Sequence, residues 1–205
     1  MATSNSTDFE PNVAEFIEEA YERCGLELRT GYDLKTAVRS VNLMLAEWAN
    51  RGLNQWTIEQ ATQTVTQGTT EYTLNANIID ILDVVVRRTV NNVQTDISIS
   101  RVGRSEYLNI PNKETQSRPT QYFLDKSIVP ILKVWPAPEN STDILVFNKI
   151  VRMDDADAAT NNIDMPFRFY PCFVAGLSYY LSLKKAPQLT PQLKALYEEE
   201  FRRAA

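Results

Sequence analysis

Residues 44–59 read Met44-Leu45-Ala46-Glu47-Trp48-Ala49-Asn50-Arg51-Gly52-Leu53-Asn54-Gln55-Trp56-Thr57-Ile58-Glu59, and the fold class turns on a change of rhythm inside them. Up to Trp48 the apolar residues fall every three or four positions. They continue a stripe of Leu34, Ala37, Val38, Val41, Met44, Leu45 and Trp48 that predicts a helix over 32–50, closed by Gly52. Beyond Leu53 the period shortens to two. Trp56-Thr57-Ile58-Glu59 and Thr62-Gln63-Thr64-Val65-Thr66 alternate and are rich in β-formers.

Upstream of this junction a second amphipathic helix is expected over 11–24. Val13, Phe16, Ile17, Ala20, Tyr21 and Cys24 form its apolar face and Glu15, Glu18, Glu19 and Glu22 its wet one. Asp8 or Phe9 precedes it, Pro11 suits its first turn and Gly25 its left-handed stop. Thr30 with Asp33 resembles a capping box for the helix that follows, and the two helices should form an antiparallel pair. Downstream, Tyr72-Thr73-Leu74, the β-branched run from Ile78 to Val90 and Val93 to Ile97 read as strands, with Asn91-Asn92 as a hairpin turn. Residues 104–109 give one helical turn stopped by Pro111, and 120–124, 130–135 and 142–151 three more strands. Six or seven strands imply a mostly antiparallel sheet or small barrel. Helix returns over 167–184, with Asp164 as N-cap, Pro166 behind it, and Pro171 marking either a kink or the true start. Thr190-Pro191 opens a last helix striped by Leu193, Leu196, Tyr197 and Phe201, with Arg202 and Arg203 at its cation-favouring end.

The expected fold class is therefore α+β: N- and C-terminal helices forming one bundle, with a mostly antiparallel β-rich insertion between them. The expected divisions are a flexible segment over 1–10, the helix pair over 11–53, the β-rich domain over 54–152 and the closing helices over 153–205.

Composition mostly subtracts chemistry. The chain has 205 residues, 43% hydrophobic and 23% charged, which is ordinary globular stock for one domain or two small ones. It contains no histidine, which excludes hydrolases with an imidazole base, His-ligated zinc enzymes and imidazole pH switches. Cys24 and Cys172 are too few for a disulfide framework and wrongly placed for a metal knuckle. The net charge is −5, and basic residues come singly or in pairs (Arg87-Arg88, Lys184-Lys185, Arg202-Arg203), so no stripe grips DNA phosphates. Neither a signal peptide nor a membrane span is expected.

The densest acidic cluster is Asp154, Asp155 and Asp157. It could bind a divalent cation or supply an acid and a base, but it lacks the Gly and distal Glu of a calcium loop and reads as solvated. Asp80 and Asp83 among Ile and Val suggest an edge or an interface. No phosphate-cradling Gly motif and no nucleophile elbow is present. Tyr170, Phe173, Tyr179 and Tyr180 crowd one helix as core, and Trp48 and Trp56 bracket the helix-to-strand junction. The Trp135-Pro136-Ala137-Pro138 turn and the weakly patterned loop 110–120 look instead like contact surface. The expectation is an interaction protein with no catalytic, cofactor-binding or metal-ligating residue.

Several stretches carry a family likeness. Glu22-Arg23-Cys24-Gly25 and residues 41–56 resemble the N-terminal helices of head-to-tail adaptor proteins of tailed phages, as does Tyr72-Thr73-Leu74 leading to residues 78–83. Arg104-Ser105-Glu106-Tyr107-Leu108, Arg118-Pro119-Thr120-Gln121-Tyr122 and Val134-Trp135-Pro136-Ala137-Pro138 are similar to the middle of such proteins. Met165-Pro166-Phe167-Arg168-Phe169 and residues 175–181 are similar to their C-terminal helix. The likeness covers about residues 10–203 and is nearest to the short-tailed, tail tubular or gatekeeper type.

It implies a virion structural protein, not an enzyme: a homo-oligomeric ring of twelve copies between portal protein and tail nozzle protein, around DNA that passes without sequence-specific binding. It also implies assembly in the host cytoplasm, residence at the head-tail junction, and no cofactor or membrane. Portal contact would fall on Tyr197, Phe201, Arg202 and Arg203, and nozzle contact on Asn112, Trp135 and Pro136. The alternatives are another neck or tail-terminator ring, separated by its six-fold copy number, and a virion-associated peptidoglycan-degrading enzyme, which Asp155→Asn would inactivate.

Overall fold

The computed structural model describes residues 5–6, 9–29 and 31–205, which divide into two compact units. The first joins the residues up to Trp56 with Met153–Ala205, and the second is Thr57–Arg152.

The first unit is helical. Helix α1 (Val13–Arg23) starts on a capping box: the Glu15 N–H donates to Asn12 Oδ1 at 3.0 Å and the Asn12 N–H to Glu15 Oε2 at 2.9 Å. Pro11 thus precedes the cap and is not in the first turn. Asp8 lies outside the described residues, as does the expected cap Thr30 of α2 (Gly31–Asn50). Both helices end alike. Gly25 and Gly52 take φ of +68° and +80°, and the Leu26 and Leu53 N–H groups reach back to the carbonyls of Tyr21 and Trp48.

A short 3-10 turn (Phe167–Phe169) capped by Pro166 runs into α4 (Tyr170–Lys185), so Asp164 is not the cap and Pro171 marks the α-helical start. Helix α5 (Thr190–Ala204) follows the turn Pro187–Leu189, and Thr190 is its first residue, not its N-cap. Its hydroxyl lies 3.0 Å from that of Ser182. Val13, Ile17, Val41, Met44, Trp48, Phe169, Phe173, Leu177 and Tyr197 meet in one core that draws on α1, α2, α4 and α5.

The second unit is a curled seven-stranded sheet in the order β1-β7-β3-β4-β5-β6-β2. Its strands are β1 (Ile58–Thr64), β2 (Glu71–Thr73), β3 (Ile78–Val90), β4 (Val93–Arg101), β5 (Gln121–Asp125), β6 (Ile131–Trp135) and β7 (Ile144–Val151). Every pairing is antiparallel except β4 with β5, which the short helix α3 (Arg104–Leu108) and loop 109–120 connect.

The curl follows from reach. A flat seven-strand sheet is about 29 Å across. The 65–70 link between its two edge strands, β1 and β2, spans about 25 Å fully extended. That link folds onto β6 and the β6–β7 connection instead, with the Val134 N–H donating to the Thr70 carbonyl and the Gly68 N–H to that of Pro138, each at 2.9 Å. Ile81, Tyr122, Leu132, Val134 and Leu145 fill the interior.

Strand β3 carries register shifts between Ile78 and Asp80 and between Ile81 and Asp83, which turn Ile78, Ile81, Val84 and Val86 inward. Asn91 and Asn92, with φ of +50° and +62°, make the expected two-residue turn opposite the Val90–Val93 pair.

Candidate functional site

Helix α5 carries the four residues assigned to portal contact, and their placements diverge. Tyr197 is fully buried, stacked on Tyr179 with ring centroids 6.0 Å apart. Its hydroxyl accepts from Trp48 Nε1 at 2.8 Å and donates to Glu47 Oε2 at 3.1 Å. Burial first, then the Glu47 charge, push this phenol far above its ordinary range. Tyr180 donates to the same carboxylate oxygen at 2.9 Å, and burial with that bond pushes its hydroxyl up to about 12.

Arg51 completes the cluster by reaching Glu47 at 2.8 Å and gripping Glu198 with two bonds of 2.9 and 2.7 Å. Its guanidinium lies 4.7 Å from the centre of the Phe201 ring, which also packs on Trp48. Tyr197 and Phe201 therefore fasten α5 to α2, and Tyr197 has no surface to offer a partner. Arg202 and Arg203 are exposed, the latter engaged by Glu199 and Glu200, while Arg168 donates to the Ala204 carbonyl beneath them.

Asn112, Trp135 and Pro136, far apart in sequence, come together. Trp135 Nε1 donates to the Asn112 carbonyl at 3.0 Å. The loop is laced to the turn beyond Trp135 by main-chain bonds from Ala137 to Thr115, Ser117 to Ala137 and Thr120 to Trp135. Loop 110–120 is thus ordered by its own chain rather than by a partner. Pro136, joined to Trp135 by a cis bond, is buried, so the face available to a partner is that of Asn112, Glu114 and Gln116 with the half-buried Trp135 ring. Beside it a cavity of about 340 Å³ is lined by Arg104, Tyr107, Lys113, Phe123 and Lys133 among others.

Asp154, Asp155 and Asp157 do not converge. Met153 before them and Ala156 among them turn inward, and the Asn42 side chain holds Ala156 at both its N–H, 2.8 Å, and its carbonyl, 3.3 Å. Among the described residues no group of three His, Cys, Asp or Glu side chains is arranged to hold a metal ion. Asp80 is a structural anion, receiving Arg101 at 2.9 Å and Lys126 at 2.8 Å. Its burial opposes ionisation, and these donors with the Ile81 N–H hold it below the usual carboxylate value. Cys24 and Cys172 are buried, and desolvation pushes the Cys172 thiol up to about 12, so both are inert.

Two surfaces went unread in the sequence. Ile128, at the β5–β6 turn, is 94% exposed, and its signal was a β-branched apolar residue inside a turn. In the helical unit a groove of about 700 Å³ runs between α1 and the start of α4, lined by Phe9, Phe16, Phe167 and Tyr170 and edged by Glu10, Glu15 and Glu19. Phe9 and Phe167 are each 67% exposed. Aromatic residues standing outside a helix's apolar stripe were its only trace.

The family comparison gives these surfaces their setting: the model described as SU10 adaptor protein matches residues 11–205, across both units. The chain belongs to the SU10 adaptor protein family. It is thereby a phage adaptor, a structural component of the virion that works among other head-tail proteins. Comparison of the adaptor with curated proteins found no match. No helix of its described residues is long and apolar enough to cross a membrane.

Proposed function

We propose that this adaptor forms a ring of twelve copies between the portal and the tail nozzle, surrounding the channel through which DNA passes. The match over 11–205 carries the reading, because it takes in the helical and the β unit together. In this reading the helices of both chain ends act as one bundle and face the portal, while the β unit meets the nozzle. Arg202 and Arg203 make portal contact from the exposed end of α5, and Tyr197 and Phe201 hold that end in place. Asn112 and Trp135 make nozzle contact, with Pro136 as their support. The net charge of −5 suits a wall that leaves DNA free to slide.

The test is sedimentation velocity of the purified adaptor with and without the portal ring of its phage, followed by electron microscopy. A twelve-fold ring on the portal is the expected result, and Arg202→Glu/Arg203→Glu should weaken docking by at least tenfold or so, as loss of two charge-assisted contacts would. Docking unaffected by the double reversal overturns the α5 assignment, and absence of portal binding overturns the adaptor ring.

A further inference from the structure

Head-to-tail rings need two different surfaces on each copy that fit one another, and the helical unit carries two of complementary charge. The first is the aromatic groove. Phe16, Phe167 and Tyr170 meet edge to face, with Tyr170 5.1 Å from Phe16 and 5.4 Å from Phe167. Glu15 and Glu19 stand one helical turn apart along its rim, with Glu10 near its mouth. The one cation there, Arg23, is taken by Glu19 at 2.8 Å, so the groove keeps a surplus of negative charge.

The second surface is the outer side of α2. Tyr32, Lys35, Arg39 and Leu43 are exposed at helical spacing, on the face turned away from Ala37, Val41, Met44 and Trp48. Among the described residues neither Lys35 nor Arg39 has a carboxylate within ion-pair distance. Lys184, bonded to Ser40 at 2.7 Å, adds a third positive charge beside them.

The two charged rows match in pitch. Lys35 and Arg39 repeat the one-turn spacing of Glu15 and Glu19, about 6 Å along each helix.

We infer that the acidic aromatic groove of one copy receives the Tyr32–Lys35–Arg39–Leu43 stripe of the next, a heterologous contact that closes the ring. An exposed tyrosine or leucine fills the space among Phe9, Phe167 and Tyr170, and the two cations meet the two rim carboxylates. This contact rests on the ring proposed above and names its interface.

Disulfide trapping tests it without needing tight association. Both native thiols are buried, so Glu19→Cys and Arg39→Cys (or Lys35→Cys) can be oxidised together with little background. A mixture of the Glu19→Cys chain with either α2 variant should form mixed dimers on the order of tenfold faster than any single variant forms its own, because docking raises the local thiol concentration. A chain carrying Glu19→Cys and Arg39→Cys together should give a ladder that ends at the ring. Equal rates for like and unlike pairs overturn the contact.

Charge reversal gives an independent reading. Glu10→Lys/Glu19→Lys and Lys35→Glu/Arg39→Glu should each abolish ring formation on the portal, and an equimolar mixture should restore it by alternation. Rings that form normally from either variant alone overturn the contact and leave the adaptor reading intact. Trapping that succeeds while the portal is ignored supports the contact and removes the portal-docked ring proposed above.

Discussion

Gly176 is where α4 is crossed at closest range: a Cβ there would sit 2.5 Å from Met44 Sδ and 2.8 Å from the Tyr197 ring. The thioether can swing aside, but the ring is pinned by its bonds to Trp48 and Glu47. Gly176→Ala should therefore destabilise the protein by about 1–3 kcal/mol, despite alanine's better helix propensity, as measured by urea unfolding.

Asp143 is the counterpart in the β unit. It is 3% exposed, and receives Arg88 at 2.7 and 2.9 Å and Asn140 at 3.2 Å. Burial alone would raise its pKa, and the Arg88 and Asn140 bonds outweigh burial and hold the carboxyl below its ordinary value. A carboxylate whose pKa is lowered on folding stabilises the fold above its unfolded value, about 3.9, and that contribution drains away as pH falls through the folded value. Asp143→Ala should cost about 2–3 kcal/mol at neutral pH, since Arg88 keeps Glu139 as a partner. Its stability should decline less steeply than that of the parent below pH of about 4, which thermal unfolding across pH would show.

These positions were only half legible. The stripe that placed Tyr197 and Phe201 on one side of α5 already said that they face inward, and that periodicity outranked their proximity to two arginines. The clearance at Gly176 depends on which side chains cross it, which no local pattern records.

At the scale of elements, α1 and α2 could be read closely because period and left-handed glycines agreed, and both are local, whereas the α1 cap fell on Asn12, inside the expected first turn. Strand β3 could be read as a strand but not as a face. Its bulges move the inward residues to 78, 81, 84 and 86, so an alternating count fails. Loop 110–120 looked unpatterned because what orders it is main-chain bonding to the 135–137 segment, and such bonds leave no trace in side-chain type. The Asn91-Asn92 turn was plain because few residues accept two successive positive φ angles. Asn92→Ala should cost roughly 1 kcal/mol and Asn92→Gly little or nothing in equilibrium unfolding. Equal losses for both would mean that the side-chain amide, not the backbone, holds the turn.

For the molecule as a whole, the β unit begins and ends on one rung. The Val151 N–H donates to the Thr57 carbonyl at 2.8 Å, and Ile58 pairs with Ile150. With its own core and adjacent ends, a chain of residues 57–152 should fold alone and unfold cooperatively, with β-type circular dichroism. A molten chain would mean that the helical unit templates the sheet.

The same rung sets how the insertion answers force. Because β1 and β7 run antiparallel and both join the helical unit at that rung, a pull on the far side of the sheet draws on the two strands together, like twin cables. Tension along them leaves the hydrogen bonds between them unsheared. Only a pull that parts residues 57 and 152 from each other attacks those bonds, and it does so one at a time, as a zipper opens. An insertion tethered in this way is thus strong along one axis and easily opened along another.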